Sequence, residues 1–288
     1  MNIKTLWSNY GSIFLFVLLW SSGAIFSRWG LNHSSSFAIL TVRFSIAFLF
    51  LLLLCISKKR YLPAPGSSKK VAGVGLLIIG GYSIFYFLAL EHGITPGVLA
   101  TIMGIQPIIT LWFMERHFSI RRFTGLLVSL IGLILVVFQG IISAKFSLSG
   151  TFFALFALIC MSIGAIFQKQ IQQPPSEVLP LQYGVSLFMC LLFVPFKPFH
   201  IEPTIGFIIP VLWLGLVISV AAQLLLYRLI MTGNLVNVTS LFYLVPGVTA
   251  IMDYLFLGNK LSNLSIIGMI AIIFGLVIIF HVKEKKHL

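Results

Sequence analysis

Ten times along this chain, a run of about 20 residues passes almost without a charged side chain. The runs are Gly11–Trp29, Phe37–Ser57, Val71–Leu90, Pro96–Met114, Phe123–Ile142, Leu148–Phe167, Leu179–Phe196, Ile205–Ile230, Leu235–Leu257 and Leu264–His281. As a helix, a run of that length matches the hydrocarbon thickness of a bilayer. Lipid offers the backbone no hydrogen bonds, so a lone spanning segment must satisfy its own N–H and C=O groups, as an α-helix does. The predicted fold class is an all-α polytopic membrane protein with ten transmembrane helices. Of the 288 residues 59% are hydrophobic and 9% charged, against about 25% charged in a soluble domain. A water-soluble globule has no means of covering that apolar surface, and a disordered chain needs the opposite balance. Ten spans leave roughly 88 residues for loops and tails, too few for a soluble domain.

The cations fix a predicted orientation. With the N-terminus in the cytoplasm, inside segments hold 14 of the 19 Lys and Arg residues. Outside segments hold 4 (Arg28, Lys145, Lys197 and Lys260), and Arg43 lies within a span. That bias predicts both termini inside and an even number of spans. It also accounts for the net charge of +13, so no nucleic-acid partner is expected. Lys4 precedes the first run as in a secretory signal, but no A-x-A cleavage site follows, and the run is read as a span. Cys55, Cys160 and Cys190 lie inside apolar runs and read as small buried hydrophobes. Neither a metal nor a cofactor is expected.

The chain repeats itself. Gly23-Ala24-Ile25-Phe26 recurs as Gly164-Ala165-Ile166-Phe167, 141 residues on. Gln106-Pro107 is matched by Val245-Pro246, and the pair Gly125 and Gly132 by Gly268 and Gly275. Three matches in one order at nearly one offset predict two halves, residues 1–143 and 144–288, of five helices each. Five is odd, so the second half enters the membrane inverted. Inverted repeats are frequent in secondary transporters, with the substrate site near the midplane at their interface.

On these residues the chain resembles the drug/metabolite transporter superfamily, of the EamA type with ten helices. The resemblance is carried by Leu19-Trp20-Ser21-Ser22, Arg43-Phe44, Leu88-Ala89-Leu90-Glu91-His92, Gln106-Pro107 and Glu115-Arg116 in the first half. Leu244-Val245-Pro246, Leu257-Gly258-Asn259-Lys260-Leu261 and Gly268 with Gly275 carry it in the second. The chain departs from the family at Asn259, where a Glu is usual. The resemblance implies transport of small metabolites, most often export of amino acids or related compounds. It also implies a cavity lined by spans one, three, four, six, eight and nine.

Intramembrane polar residues are costly and mark candidate sites. In span nine, Thr239, Tyr243, Pro246, Ala250 and Asp253 are spaced 4, 3, 4 and 3, on one helix face. That face lines a cavity or packs on a neighbour with Tyr and Thr hydrogen bonds. Pro107 and Pro246 occupy corresponding helix breaks, the best pointer to a transporter site. The candidate substrate-binding residues are Trp20 and Ser22 in span one, Arg43 in span two, Tyr82 and Tyr86 in span three, Gln106 in span four, Gln223 and Tyr227 in span eight, and Tyr243 and Asp253 in span nine. Aromatic pairs at helical spacing also serve as plain packing. Arg43 and Asp253 fall at similar predicted depths, roughly 9 and 6 Å from the outer boundary, and are expected to approach or to share an outward vestibule. The paired glycines read as close helix packing or as an oligomer seam.

The function expected is a secondary transporter of small organic metabolites in the cytoplasmic (inner) membrane, with amino-acid export by alternating access as the leading case. Multidrug efflux, or uptake of a metabolite by the same fold, is the alternative. A membrane-embedded enzyme is a distant one: no HExxH, GxSxG or P-loop occurs, and Asp253 is the only Asp in the chain. The expected partners are a small-molecule substrate and the bilayer, with the chain a monomer or weak homodimer.

Overall fold

The computed structural model describes residues 3–58, 63–115, 119–142, 147–257 and 261–281. The side chains of residues 3–10, Asp253, Phe256 and Leu257 fall outside that description. The described chain is helical; its one strand-like pairing is an isolated antiparallel bridge between Ser34 and Ile201. The long helical runs are α1 (Ile3–Leu31), α2 (Ser36–Lys58), α3 (Ser68–Glu91), α4 (Pro96–Met114), α5 (Ile120–Val136), α6 (Leu148–Lys169), α7 (Pro175–Phe196), α8 (Ile205–Thr232), α9 (Leu235–Met252, its last turns continuing to Leu257) and α10 (Asn263–Phe280). Among the described residues, nine of these carry stretches long and apolar enough to cross a membrane. The remaining one, α5, has 17 residues and is followed, after a turn at Val137, by the short helix Phe138–Ile142.

Polar caps start several helices and recur at matched places. The side chain of Thr95 accepts the Val98 N–H at α4, and that of Asn234 accepts the Asn237 N–H at α9. Ser119 and Ser262 do the same for Arg122 at α5 and Ser265 at α10. Each cap satisfies one of the donors that a helix start leaves open. Between α3 and α4 the chain turns at Gly93, whose φ of +90° suits a residue without Cβ.

Four helices are interrupted near their middles. α3 widens to a π-helix over Leu76–Gly81, and α8 does so over Trp213–Ala222, three residues after Pro210. α4 breaks at Gly104 and Ile105 just before Pro107, which has no N–H to continue the ladder. α9 tightens to a 3₁₀ turn over Leu241–Tyr243 ahead of Pro246. Such local changes of helix type are common at functional sites.

Small residues let these helices approach closely. α5 and α10 cross antiparallel, with Gly132 against Gly268 and Gly125 against Gly275. A Cβ added at Gly132 would stand 2.7 Å from the Gly268 oxygen. The glycine pairs of the sequence therefore meet each other within one chain. In the same way Gly164 of α6 abuts Ile78 of α3, and Gly23 of α1 faces Ile218 of α8. The outer surface is apolar, with Trp112, Phe113, Phe14 and Ile270 more than 60% exposed. Water penalises such a surface and lipid accepts it.

Candidate functional site

A cavity of about 350 Å³ lies inside the bundle. Its lining runs from Gln106 and Phe242 at the helix breaks to Ser27, Pro96 and Gly140 near helix ends. Trp20, Gly23, Ala24 and Ser27 of α1 form one wall, and Val245, Pro246, Thr249 and Ala250 of α9 another. Tyr82, Ser83, Tyr86 and Phe87 of α3 and the stretch of α4 from Pro96 to Gln106 complete most of the lining. Its open end is marked by Ser27 near the end of α1, Pro96 at the start of α4 and Gly140 beyond α5.

The other end of the lining rests on an aromatic cluster. Trp20 and Phe242 meet edge to face at 5.4 Å beneath the cavity, and Phe16 packs on both, 5.4 Å from Trp20 and 5.6 Å from Phe242. Phe16 is fully buried. Below this aromatic floor, Arg122 at the start of α5 donates to Glu115 after α4 and, at 3.2 Å, to Asn237 of α9. Lys169 at the end of α6 donates to the Ile230, Met231 and Gly233 oxygens that finish α8, at 2.6 to 3.1 Å. A lysine there satisfies carbonyls that a helix end leaves open.

The open end has ties of its own, away from the mouth. The turn after α1 and the segment before α8 pair through Ser35 N–H to His200 O (3.0 Å) and Glu202 N–H to His33 O (2.8 Å). The His33 Nδ1 and Glu202 Oε2 atoms are 2.8 Å apart. The His33 hydrogen bond, more than any other influence, holds the Glu202 carboxyl below its ordinary range.

Of the candidate substrate-binding and helix-break residues, six reach the cavity: Trp20, Arg43, Tyr82, Tyr86, Gln106 and Pro246. Four others with described side chains stand elsewhere. Ser22 is turned behind α1, where it accepts a 2.8 Å hydrogen bond from Trp213 Nε1 and donates to Leu19 O. Gln223 and Tyr227 are buried in the core of α8. Tyr243 is fully buried and donates to the Gly104 carbonyl at 2.7 Å. Pro107 lies one residue past the lining, as second residue of the helix that restarts at Gln106. The Asp253 side chain lies outside the described residues. The lining also draws on two spans beyond the expected six, through Arg43 of α2 and Val136, Val137 and Gly140 around the end of α5.

The face expected along α9 divides. Pro246 and Ala250 line the cavity, while Thr239 and Tyr243 are packed away from it. A 3₁₀ turn advances each residue about 120° against 100° in an α-helix, so Leu241–Tyr243 shifts the face between its two ends. Two residues the sequence reasoning passed over matter here. Phe242 forms the cavity floor, and Ser219 of α8 accepts the Arg43 Nε–H at 2.7 Å. Neither stands out as a motif; Ser219 is one serine within a π-helical stretch of apolar residues.

Comparison with known proteins agrees with this architecture. The model of the EamA-like transporter family matches residues 8–138 and again 148–281. An "Uncharacterized transporter YdfC" of Bacillus subtilis is 24% identical over 271 residues, covering 91% of this chain and 87% of that one. A "Probable amino-acid metabolite efflux pump" of Salmonella typhimurium is 23% identical over 284 residues, 92% of each chain. A chain of known crystal structure superposes with a TM-score of 0.78 over 94% of this chain and 96% of its own, at 18% identity, which bears on the fold alone. With the family model matched twice over nearly its whole length, the chain belongs to the EamA-like transporter family, of the drug/metabolite transporter superfamily.

Proposed function

We propose that this multi-pass membrane transporter exports amino acids or related amphipathic metabolites across the cytoplasmic membrane by alternating access. The observation that carries the proposal is a cavity between interrupted helices, open at one end and closed at the other by an aromatic floor. A carrier needs such a one-sided site, while a channel needs a continuous path. In this reading α5 also crosses the membrane, giving ten crossings in two inverted halves, residues 1–143 and 144–288. Both termini then face the cytoplasm, as the 14-to-4 distribution of Lys and Arg supports. The open end accordingly faces outward, and the structure stands for the release state of an exporter.

Closing this state and opening the other requires Trp20, Phe16 and Phe242 to part while the walls near Ser27, Pro96 and Gly140 meet. The breaks in α4 and α9 beside the cavity supply the points at which the helices bend. Trp20, Arg43, Tyr82, Tyr86 and Gln106 are the side chains proposed to meet the solute. Among the described residues no cluster of His, Cys, Asp or Glu holds a metal-site geometry, and the reading invokes no chemistry on the solute. The test is flux in proteoliposomes. Saturable uptake of a labelled amino acid, accelerated by the same amino acid on the far side, is the expected result. Linear, non-saturating flux, or none for any amino acid or amphipathic compound, would remove the carrier reading.

A further inference from the structure

Among the described residues, one buried cation inside the cavity has no counter-charge. Arg43 is 9% exposed and belongs to the cavity lining. Its Nε–H is held by Ser219 Oγ at 2.7 Å. Both terminal nitrogens are left without a protein acceptor among the described residues. The titratable side chains around the guanidinium are Tyr183, Tyr82, Tyr86 and Cys190. Among the described residues, the cavity lining contains no Asp or Glu. A guanidinium at membrane depth is costly and normally has a partner, yet here the described residues supply a neutral hydroxyl at one edge and no acceptor at the forked edge.

A second donor without a partner belongs to a residue of the same lining. Gln106 is 1% exposed, and its Nε2 has no hydrogen-bond partner. A buried amide donor without an acceptor is costly, so the Gln106 amide favours an incoming acceptor. Gln106 is also the first residue of the nine-residue helix that restarts after the break in α4.

We propose that these groups form a monocarboxylate site: the forked edge of Arg43 binds both oxygens of a solute carboxylate, and Gln106 Nε2 donates to one of them. A planar bidentate match to one unit of charge is what a guanidinium offers. A phosphate ester would want further cations, and the described lining has none. Trp20, Tyr82, Tyr86 and Phe242 supply apolar faces for the body of the solute. This deepens the transporter reading and rests on it only in assuming that the cavity takes a solute. It narrows the solute to carboxylates and turns away cationic drugs.

The test is equilibrium binding to the full-length protein in lipid nanodiscs, read by ligand-observed NMR. The probes are 3-phenylpropionate, L-phenylalanine, L-phenylalaninamide, phenethylamine and phenyl phosphate. The two carboxylates should bind roughly tenfold or more tighter than the amide and the amine. Arg43→Gln should erase that difference, Arg43→Lys should keep part of it, and Gln106→Glu should weaken the carboxylates alone. Should Arg43→Gln not assemble, Gln106→Glu decides. Absence of carboxylate binding, amine or amide binding as tight as acid binding, phenyl phosphate binding tighter than 3-phenylpropionate, or carboxylate affinities unmoved in the variants would each overturn the site. Binding with these preferences but no flux leaves the site standing and removes the carrier. Saturable flux indifferent to the carboxylate does the reverse.

Discussion

The Tyr243 hydroxyl donates to the Gly104 carbonyl at 2.7 Å, joining the 3₁₀ turn of α9 to the break of α4. The residues are 139 apart, the same offset that separates Pro107 from Pro246. The N–H of Ile108 turns to Ile105 instead, which leaves the Gly104 carbonyl to the tyrosine. Each interrupted helix thus meets the other at its weak point, on the closed side of the cavity wall.

Replacing that tyrosine separates architecture from solute binding. Tyr243→Phe keeps the ring and leaves the Gly104 carbonyl unpaired. Interhelical hydrogen bonds of this kind in a membrane protein are worth about 0.6 kcal/mol and at most about 1.7. Thermal unfolding of the purified protein should show a loss within that range, while the order of solute preference stays as in the parent. A changed preference with unchanged stability would mean that Tyr243 touches the solute.

The α5–α10 seam gives a steric contrast. Gly132→Ala sets a methyl 2.7 Å from the Gly268 oxygen and 2.8 Å from the Ile272 nitrogen, both backbone. Overpacking of that sort costs about 1–3 kcal/mol. Gly23→Ala meets only the flexible end of Ile218 at 3.6 Å, an ordinary contact. Unfolding temperatures should fall clearly for the first variant and barely for the second.

Much of this was readable in advance, and what was not has physical causes. Hydropathy and charge located the helices, because a bilayer permits little else. Tyr82 and Tyr86 reached the cavity, whereas Gln223 and Tyr227, spaced alike and 141 residues on, did not. Spacing says which side chains share a face of a helix; it says nothing of which neighbour that face meets. The π-helices of α3 and α8 and the 3₁₀ turn of α9 re-aim side chains, and their local sequences differ little from ordinary apolar helix. Gly80 and Gly81 are the visible trace of the first. Their missing Cβ atoms leave room for Met189 of α7 and Cys160 of α6.

Sidedness is open to chemical labelling. With Cys55, Cys160 and Cys190 replaced, a single cysteine at Ala250 should react with a membrane-impermeant maleimide added outside, since Ala250 lines the open cavity. A cysteine at Phe16, fully buried under Trp20, should resist it. Protection of position 250, or ready labelling of position 16 in the resting protein, contradicts an outward-open state.

The pairing of the turn after α1 with the segment before α8 carries a pH dependence. The Glu202 carboxyl is held below its ordinary value of 4.5, first by the His33 hydrogen bond. A carboxyl whose folded pKa is lowered adds stability above its unfolded pKa and loses it as pH falls through the folded value. Protection of the amides of Ser35 and Glu202 from exchange, both bonded across this pairing, should fall relative to the intrinsic rate on acidification through the carboxylate range. Glu202→Gln should bring the lowered protection to neutral pH.

The glycine seam sets an order of assembly. Gly125 and Gly132 leave the ribosome about half a chain before Gly268 and Gly275, their partners in the fold. During that interval the glycine face of α5 is uncovered, and α10 covers it once that helix has been made. A chain cut short before α10 therefore keeps that glycine face bare.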